Sequence, residues 1–168
     1  MQRTVESNRT LLVDGPASVR VVSGKAEVFG YQVKHAQKIV MREGKRLPFF
    51  VLEKAEFDIS LGANAGIEVV AGSTIQSSWD KPLETILRAQ KKPVVVLVLG
   101  KIDSGKSSYC TYLVNKLVDG KCRVAVLDGD LGQSDIGASG TVGYAVTSKP
   151  VTELYDLKLE NALNRTIP

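Results

Sequence analysis

One stretch constrains this chain more than any other: Gly100-Lys101-Ile102-Asp103-Ser104-Gly105-Lys106-Ser107 fits the pattern G-x-x-x-x-G-K-S/T in full. Its flanks agree with it. Pro93–Leu99 is a continuous apolar run rich in valine, the composition of a strand buried on both faces of a parallel sheet. Residues from about Lys106 to Leu117 carry a helical pattern, and Gly120 is placed to end that helix. A second apolar run, Arg123–Leu127, comes next. Strand, glycine-rich loop, helix and strand in that order predict a βαβ unit with a right-handed crossover.

The residue types of the loop carry a specific chemistry. Glycines let backbone N–H groups turn inward around phosphate oxygens with no side chain in the way. A helix that starts at such a loop points its N-terminus at the anion. The pattern therefore implies ATP or GTP with Mg²⁺. Lys106 is expected to reach the β- and γ-phosphates, and the Ser107 hydroxyl to ligand the metal. Gly100, Asp103, Ser104, Gly105 and Ser108 complete the expected nucleotide-binding set, while Lys101 reads as a solvated loop charge.

One strand later comes Leu127-Asp128-Gly129-Asp130-Leu131-Gly132-Gln133-Ser134. Acidic residues at the end of a buried strand beside a phosphate loop hold Mg²⁺ or its water shell. If the chain stays extended, Asp128 and Asp130 face one side. One can then ligand the metal while the other accepts a proton from an attacking hydroxyl. Asp-Gly is equally a common turn pair, so a purely structural role stands beside the catalytic one. Gln133 can orient a substrate or serve as an ordinary polar loop residue.

The N-terminal part has a different rhythm. Short strand patterns at Thr10–Val13, Ser18–Val22, Ala26–Phe29, Lys38–Arg42, Phe49–Leu52, Phe57–Ile59 and Ile67–Val70 alternate with turn signals such as Ser23-Gly24 and Glu43-Gly44-Lys45. This predicts a small, sandwich-like all-β domain over residues 1–75. A partial α/β P-loop domain with a parallel sheet is expected over residues 76–168. That second part opens with a helix capped by Asp80 that carries Pro82 in its first turn.

Composition narrows the function classes. The net charge is +4, split evenly about Gln90, so neither half is a basic arm. Two cysteines, Cys110 and Cys122, lack zinc-site spacing and disulfide density, which suggests reduced thiols in a cytoplasmic protein. No apolar stretch is long enough to span a membrane. His35 has no sequence neighbours that would complete a triad or metal site. Arg42, Lys45 and Arg46 read as a solvated hairpin tip. Trp79 and Tyr109 fit base stacking and helix packing equally well.

Two stretches then point to a family. The segment from Leu127 to Gly137, followed by Gly140-Thr141-Val142, resembles the D-x-D-x-G-Q-S segment of polynucleotide 5′-hydroxyl kinases. Ser23-Gly24-Lys25-Ala26-Glu27-Val28-Phe29-Gly30 resembles the G-x-A-E-I-F-G signature of that family's N-terminal β domain. With the phosphate loop between them, the resemblance runs from about Asn8 to Leu159 and is strongest toward archaeal members. It implies transfer of the γ-phosphate of ATP, with Mg²⁺, to a 5′-hydroxyl of RNA or DNA. By motif position Asp130 matches the general base, with Asp128 and Gln133 beside it, and the region of Glu27 helps to hold adenine. The family continues into more sheet, a basic lid and a C-terminal domain. This chain stops at Pro168, and Leu163–Pro168 does not resemble the family's next strand. A truncated sheet, an exposed edge open to homodimerisation and weak kinase activity are therefore expected. The competing readings are a non-catalytic ATP-binding scaffold in RNA processing and a related GTPase. The absence of an Asn/Thr-Lys-x-Asp motif after the loop disfavours the GTPase.

Overall fold

The computed structural model describes residues 1–157. The chain divides into two compact units, Met1–Gln76 and a second that begins at Ser77.

The first unit is one antiparallel sheet of seven strands: β1 (Gln2–Val5), β2 (Arg9–Asp14), β3 (Ala17–Val28), β4 (Tyr31–Gln32), β5 (Lys38–Met41), β6 (Arg46–Leu61) and β7 (Ile67–Ala71). Its main path runs β4-β3-β6-β2-β7, with β1 also on β6 and β5 also on β3. Two long strands organise it. Each of β3 and β6 spans two of the short strands expected from the sequence. Ser23-Gly24, which reads as a turn, is a bulge: the β3–β6 register shifts between Val21 and Ala26, and Gly24 has φ +79°. A Cβ there would lie 2.1 Å from the Lys54 carbonyl oxygen, so only glycine lets β3 bend against β6. Past the bulge, Phe29 and Gly30 both have positive φ and close the two-residue turn into β4.

The alternation of side chains follows from this register. Val19, Val21, Ala26 and Val28 of β3 and Phe49, Val51, Phe57 and Ile59 of β6 are buried with Leu11 and Val13 of β2. Phe49 meets Phe57 edge to face at 5.9 Å between ring centroids. Strands β1 and β4 were not expected. Three of the four residues of β1 are exposed and polar, and β4 is two residues long, so neither carries an apolar period.

The second unit holds α1 (Asp80–Arg88), α2 (Lys106–Asp119), β8 (Val124–Asp128) and β9 (Gly143–Thr147). Helix α2 packs on the inner side of β8. Its Val114 joins Ile136, Ala145, Val151, Leu154 and Leu157 in a core against which Cys110, Val118, Val124 and Val126 pack. Asn115, buried on the same helix, clamps the chain after β9. Its amide donates to the Val151 carbonyl at 2.9 Å and its oxygen accepts from the Val151 N–H at 2.8 Å. The helix stops at Gly120 as expected, but the left-handed residue comes one position later. Gly120 is the C-cap with φ −71°, and Lys121 takes the left-handed position with φ +61°. The Lys121 and Cys122 N–H groups return to the carbonyls of Val118 and Leu117, which satisfies the helix end.

Three expectations are corrected here. The parallel sheet is not formed among the described residues. β8 pairs antiparallel with β9, Leu127 opposite Tyr144. The connection between them, residues 129–142, contains no helix, and a parallel pair would need a crossover of that kind. Pro93–Leu99 is not a strand, for it has no ladder partner; Val95, Leu97 and Leu99 are 79–90% exposed. Asp80 does not cap α1. Trp79 holds that position without a side-chain bond, and the Asp80 carboxylate instead accepts the Tyr112 hydroxyl of α2. The reading of Leu163–Pro168 lies outside the described residues. No helix among those described is long and apolar enough to cross a membrane.

Candidate nucleotide-binding site

The loop between Gly100 and Ser107 has the shape its sequence calls for. Asp103 and Gly105 take positive φ, +57° and +83°, and α2 begins on Gly105 with no side-chain cap. The first N–H groups of α2 are thus left for an external acceptor, at the positive end of the helix dipole. The Lys106 ammonium folds back over the loop and donates to the Lys101 carbonyl at 2.9 Å. Ser104 N–H donates to the same oxygen at 3.3 Å. A Cβ on Gly100 would stand 2.5 Å from Ser104 Oγ and 3.4 Å from Lys106 Cγ, so any larger residue would collide with the loop. Backbone donors, one lysine and bare glycines fit a phosphate chain.

Trp79, Val98, Leu99, Ser104, Gly105, Lys106 and Tyr109 line a shallow pocket of about 150 Å³ beside the loop. Trp79 stands edge on to Tyr109 at 5.1 Å and tilted over Tyr112 at 5.6 Å, so both aromatic residues pack α1 on α2 as well as facing the pocket. Desolvation, then the neighbouring Cys110, push the Tyr109 phenol above its ordinary value.

The acidic segment is organised differently from an extended strand. The chain turns immediately after Asp128, whose carboxylate gathers the loop around itself. Oδ1 accepts from Asp130 N–H at 3.1 Å. Oδ2 accepts from Ser134 Oγ at 2.9 Å, Asp135 N–H at 2.7 Å and Ile136 N–H at 3.3 Å. Ser134 Oγ in turn accepts from Gly137 N–H at 2.8 Å. The turn-forming role of Asp-Gly is therefore realised at Asp128. Asp130 is exposed and lies one turn further on, with Oδ1 accepting from Gly132 and Gln133 N–H, both at 3.1 Å. Gln133 is exposed, and its N–H serves this turn. Ser134 is the site residue that sequence reasoning passed over; its place inside the G-Q-S segment was the only available signal.

Cys110, on the first turns of α2, connects the two halves of the site. Burial and the Asp128 charge raise its thiol above the ordinary value, and Lys106 pulls the other way. One side chain thus feels the phosphate-loop lysine and the β8 aspartate together. A divalent ion fits this donor set only in part. Ser107 and Asp130 are exposed hard oxygen donors, while no group of three His, Cys, Asp or Glu among the described residues could hold an ion alone. That matches Mg²⁺, which is usually held through one or two protein oxygens plus phosphates and water.

Comparison with known proteins finds a matching family model and several relatives. The sequence model of the family described as "mRNA cleavage and polyadenylation factor CLP1 P-loop" matches residues 100–167. The polyribonucleotide 5′-hydroxyl-kinase of Pyrococcus abyssi is 36% identical over 84 residues, 47% of this chain and 24% of that protein. The polyribonucleotide 5′-hydroxyl-kinase Clp1 of Xenopus tropicalis is 29% identical over 154 residues, 86% of this chain and 35% of that protein. Clp1p in its complex with Pcf11p superposes with a TM-score of 0.72 at 18% identity, over 89% of this chain and 36% of that one. The chain thus shares a fold with part of Clp1p and spans well under half the length of these relatives. A P-loop kinase family of this kind implies use of a nucleotide, usually with a divalent metal. The chain is similar to the polyribonucleotide 5′-hydroxyl-kinase and Clp1 proteins, and residues 100–167 match the P-loop model of the CLP1 family.

Proposed function

We propose that this chain binds ATP with Mg²⁺ and belongs to an ATP-dependent polynucleotide 5′-hydroxyl kinase. The observation that carries the reading is the open phosphate loop: an uncapped α2 N-terminus on left-handed Gly105, with Lys106 folded across it. The names of the relatives supply the acceptor, a 5′-hydroxyl of RNA. ATP rather than GTP is favoured because a solved Clp1p–Pcf11p complex concerns ATP loss in a point mutant.

In this reading Lys106 exchanges the Lys101 carbonyl for β- and γ-phosphate oxygens, and the N–H groups from Gly105 to Ser108 hold the phosphate chain. The Ser107 hydroxyl and Asp130 would hold Mg²⁺, which would supply charge neutralisation on the phosphates when bound. The 5′-oxygen bonds to the γ-phosphorus, the bond to the β–γ bridging oxygen breaks to release ADP, and the hydroxyl proton passes to Asp130. Asp128 positions this residue by holding its N–H. Gln133 orients the acceptor. DNA as an alternative acceptor rests on the same geometry.

Two further elements belong to the proposal. The bare apolar run Val94–Leu99 becomes a strand of a parallel sheet once a neighbour pairs with it, and a second copy of the chain can supply one. The free thiols Cys110 and Cys122 favour a reducing, cytoplasmic setting.

Titration calorimetry with ATP and GTP, on the wild type and Lys106→Ala, tests nucleotide use. ATP-selective binding that falls at least tenfold in the variant, about 1.4 kcal/mol, supports the reading. Transfer of labelled γ-phosphate to a 5′-hydroxyl oligonucleotide tests the reaction. Binding of neither nucleotide by the wild type sinks it.

A further inference from the structure

Helices α1 and α2 run in the same direction and end together. Trp79, before α1, packs on Tyr109 and Tyr112 of α2. At the other end, Leu87 of α1 comes within 3.6 Å of a Cβ built on Gly120. Lys92 curls back, its ammonium 3.2 Å from the Ile86 carbonyl. The chain after α1 and the chain after α2 therefore leave from one place. Each brings basic residues there: Arg88, Lys91 and Lys92 from the first, Lys121 and Arg123 from the second, all exposed or half-exposed.

Local demand does not account for this charge. Arg88 has Glu84 at 3.4 Å, but Lys91, Lys92, Lys121 and Arg123 have no carboxylate in ion-pair distance among the described residues. Two helix C-termini attract cations, yet each presents only about half a negative charge. Lys121 also stands at a left-handed position, where glycine would be about 1 kcal/mol better. The five cations include no aromatic face, so they match phosphate groups rather than bases.

We infer that this basic cluster is a second polynucleotide contact that holds the phosphate backbone several nucleotides from the 5′ end. The inference rests on the polynucleotide reading above. Helix α2 has 14 residues, so the cluster lies about 21 Å from the phosphate loop along the helix axis. A dinucleotide whose 5′-hydroxyl meets the γ-phosphate cannot reach it; a strand of about a dozen nucleotides can. The contact is sequence-independent and salt-sensitive.

The test is fluorescence anisotropy of labelled 5′-hydroxyl RNA on the full chain, with a dinucleotide and a strand of about a dozen nucleotides. Wild type is expected to bind the longer RNA more tightly and with a steeper salt dependence. In Lys91→Gln/Lys92→Gln the salt slope for the longer RNA should be shallower by about 1.4, about 0.7 for each single-strand phosphate that the variant no longer neutralises, with dinucleotide binding unchanged. Lys91→Arg/Lys92→Arg should keep wild-type behaviour, which separates charge from fold damage. An unchanged slope in the glutamine variant, or equal affinity for both lengths in the wild type, overturns the inference alone. Failure of the wild type to bind RNA of either length overturns it together with the polynucleotide reading.

Discussion

Removing the Asp128 carboxylate separates a residue that builds the site from one that binds its metal. Four donors converge on it: the N–H groups of Asp130, Asp135 and Ile136 and the Ser134 hydroxyl. Asp130 is exposed, so in Asp128→Ala its N–H is re-solvated at little cost. The other three donors are not so placed. Ile136 is 1% exposed, and Ser134 and Asp135 are half-buried. Bonds to a charged acceptor contribute about 1.5–3 kcal/mol where water is excluded and less where it enters. Loss of the three should cost about 2–4 kcal/mol in the second unit. For a domain of that size each kcal/mol lowers the melting temperature by about 4–8 °C, so the transition should fall by about 10 °C or more. Asp128→Asn keeps one oxygen for Ser134, Asp135 and Ile136 and turns its amide toward the Asp130 N–H. Its loss should be nearer 1 kcal/mol. Calorimetry reads the transition, and hydrogen exchange at the Asp135 and Ile136 amides reads the loop. A variant that melts with the wild type, keeps those amides protected and loses only Mg²⁺-dependent nucleotide affinity would refute the positioning role and make Asp128 a metal ligand.

Other expectations follow from single residues. Gly24→Ala should destabilise the first unit by more than about 2 kcal/mol, because positive φ is combined with a contact to the Lys54 backbone that cannot move aside; chemical denaturation measures it. Lys121→Gly should raise the melting temperature of the second unit by relieving a left-handed lysine worth about 1 kcal/mol, while it weakens binding of the longer RNA. The Cys110 thiol value is raised by burial and Asp128, so its contribution to stability is present below the ordinary thiol range, near 8.5, and is lost as pH rises through the higher folded value. Iodoacetamide should therefore label Cys110 more slowly than Cys122 at neutral pH, with mass spectrometry of peptides as the readout.

What was legible in the sequence had partners close by in the chain. The phosphate loop needs only Gly100, Gly105 and Lys106 in place, because its acceptor geometry is made by backbone within one turn. The alternating segments Ser18–Val22 of β3 and Phe57–Ile59 of β6 showed their period because one face of each is packed, with Val19, Val21, Phe57 and Ile59 buried. Ser23-Gly24 misled because a residue that allows positive φ serves a bulge as readily as a turn; what decides is the Lys54 carbonyl, some thirty residues away. The reach of the Asp128 carboxylate was hidden for a related reason. Two of its four donors are backbone amides seven and eight residues on, and an amide leaves no mark in the sequence. The run Pro93–Leu99 is the limiting case. Its side chains are uniformly apolar, so they specify burial on both faces but no register and no neighbour. Segment 129–142 returns the chain beside β8 without a helix, which makes β9 antiparallel and leaves the apolar run unpaired. Apolar composition thus records that Pro93–Leu99 suits a sheet interior. Whether a sheet forms there depends on a partner strand, which no property of the run itself can encode.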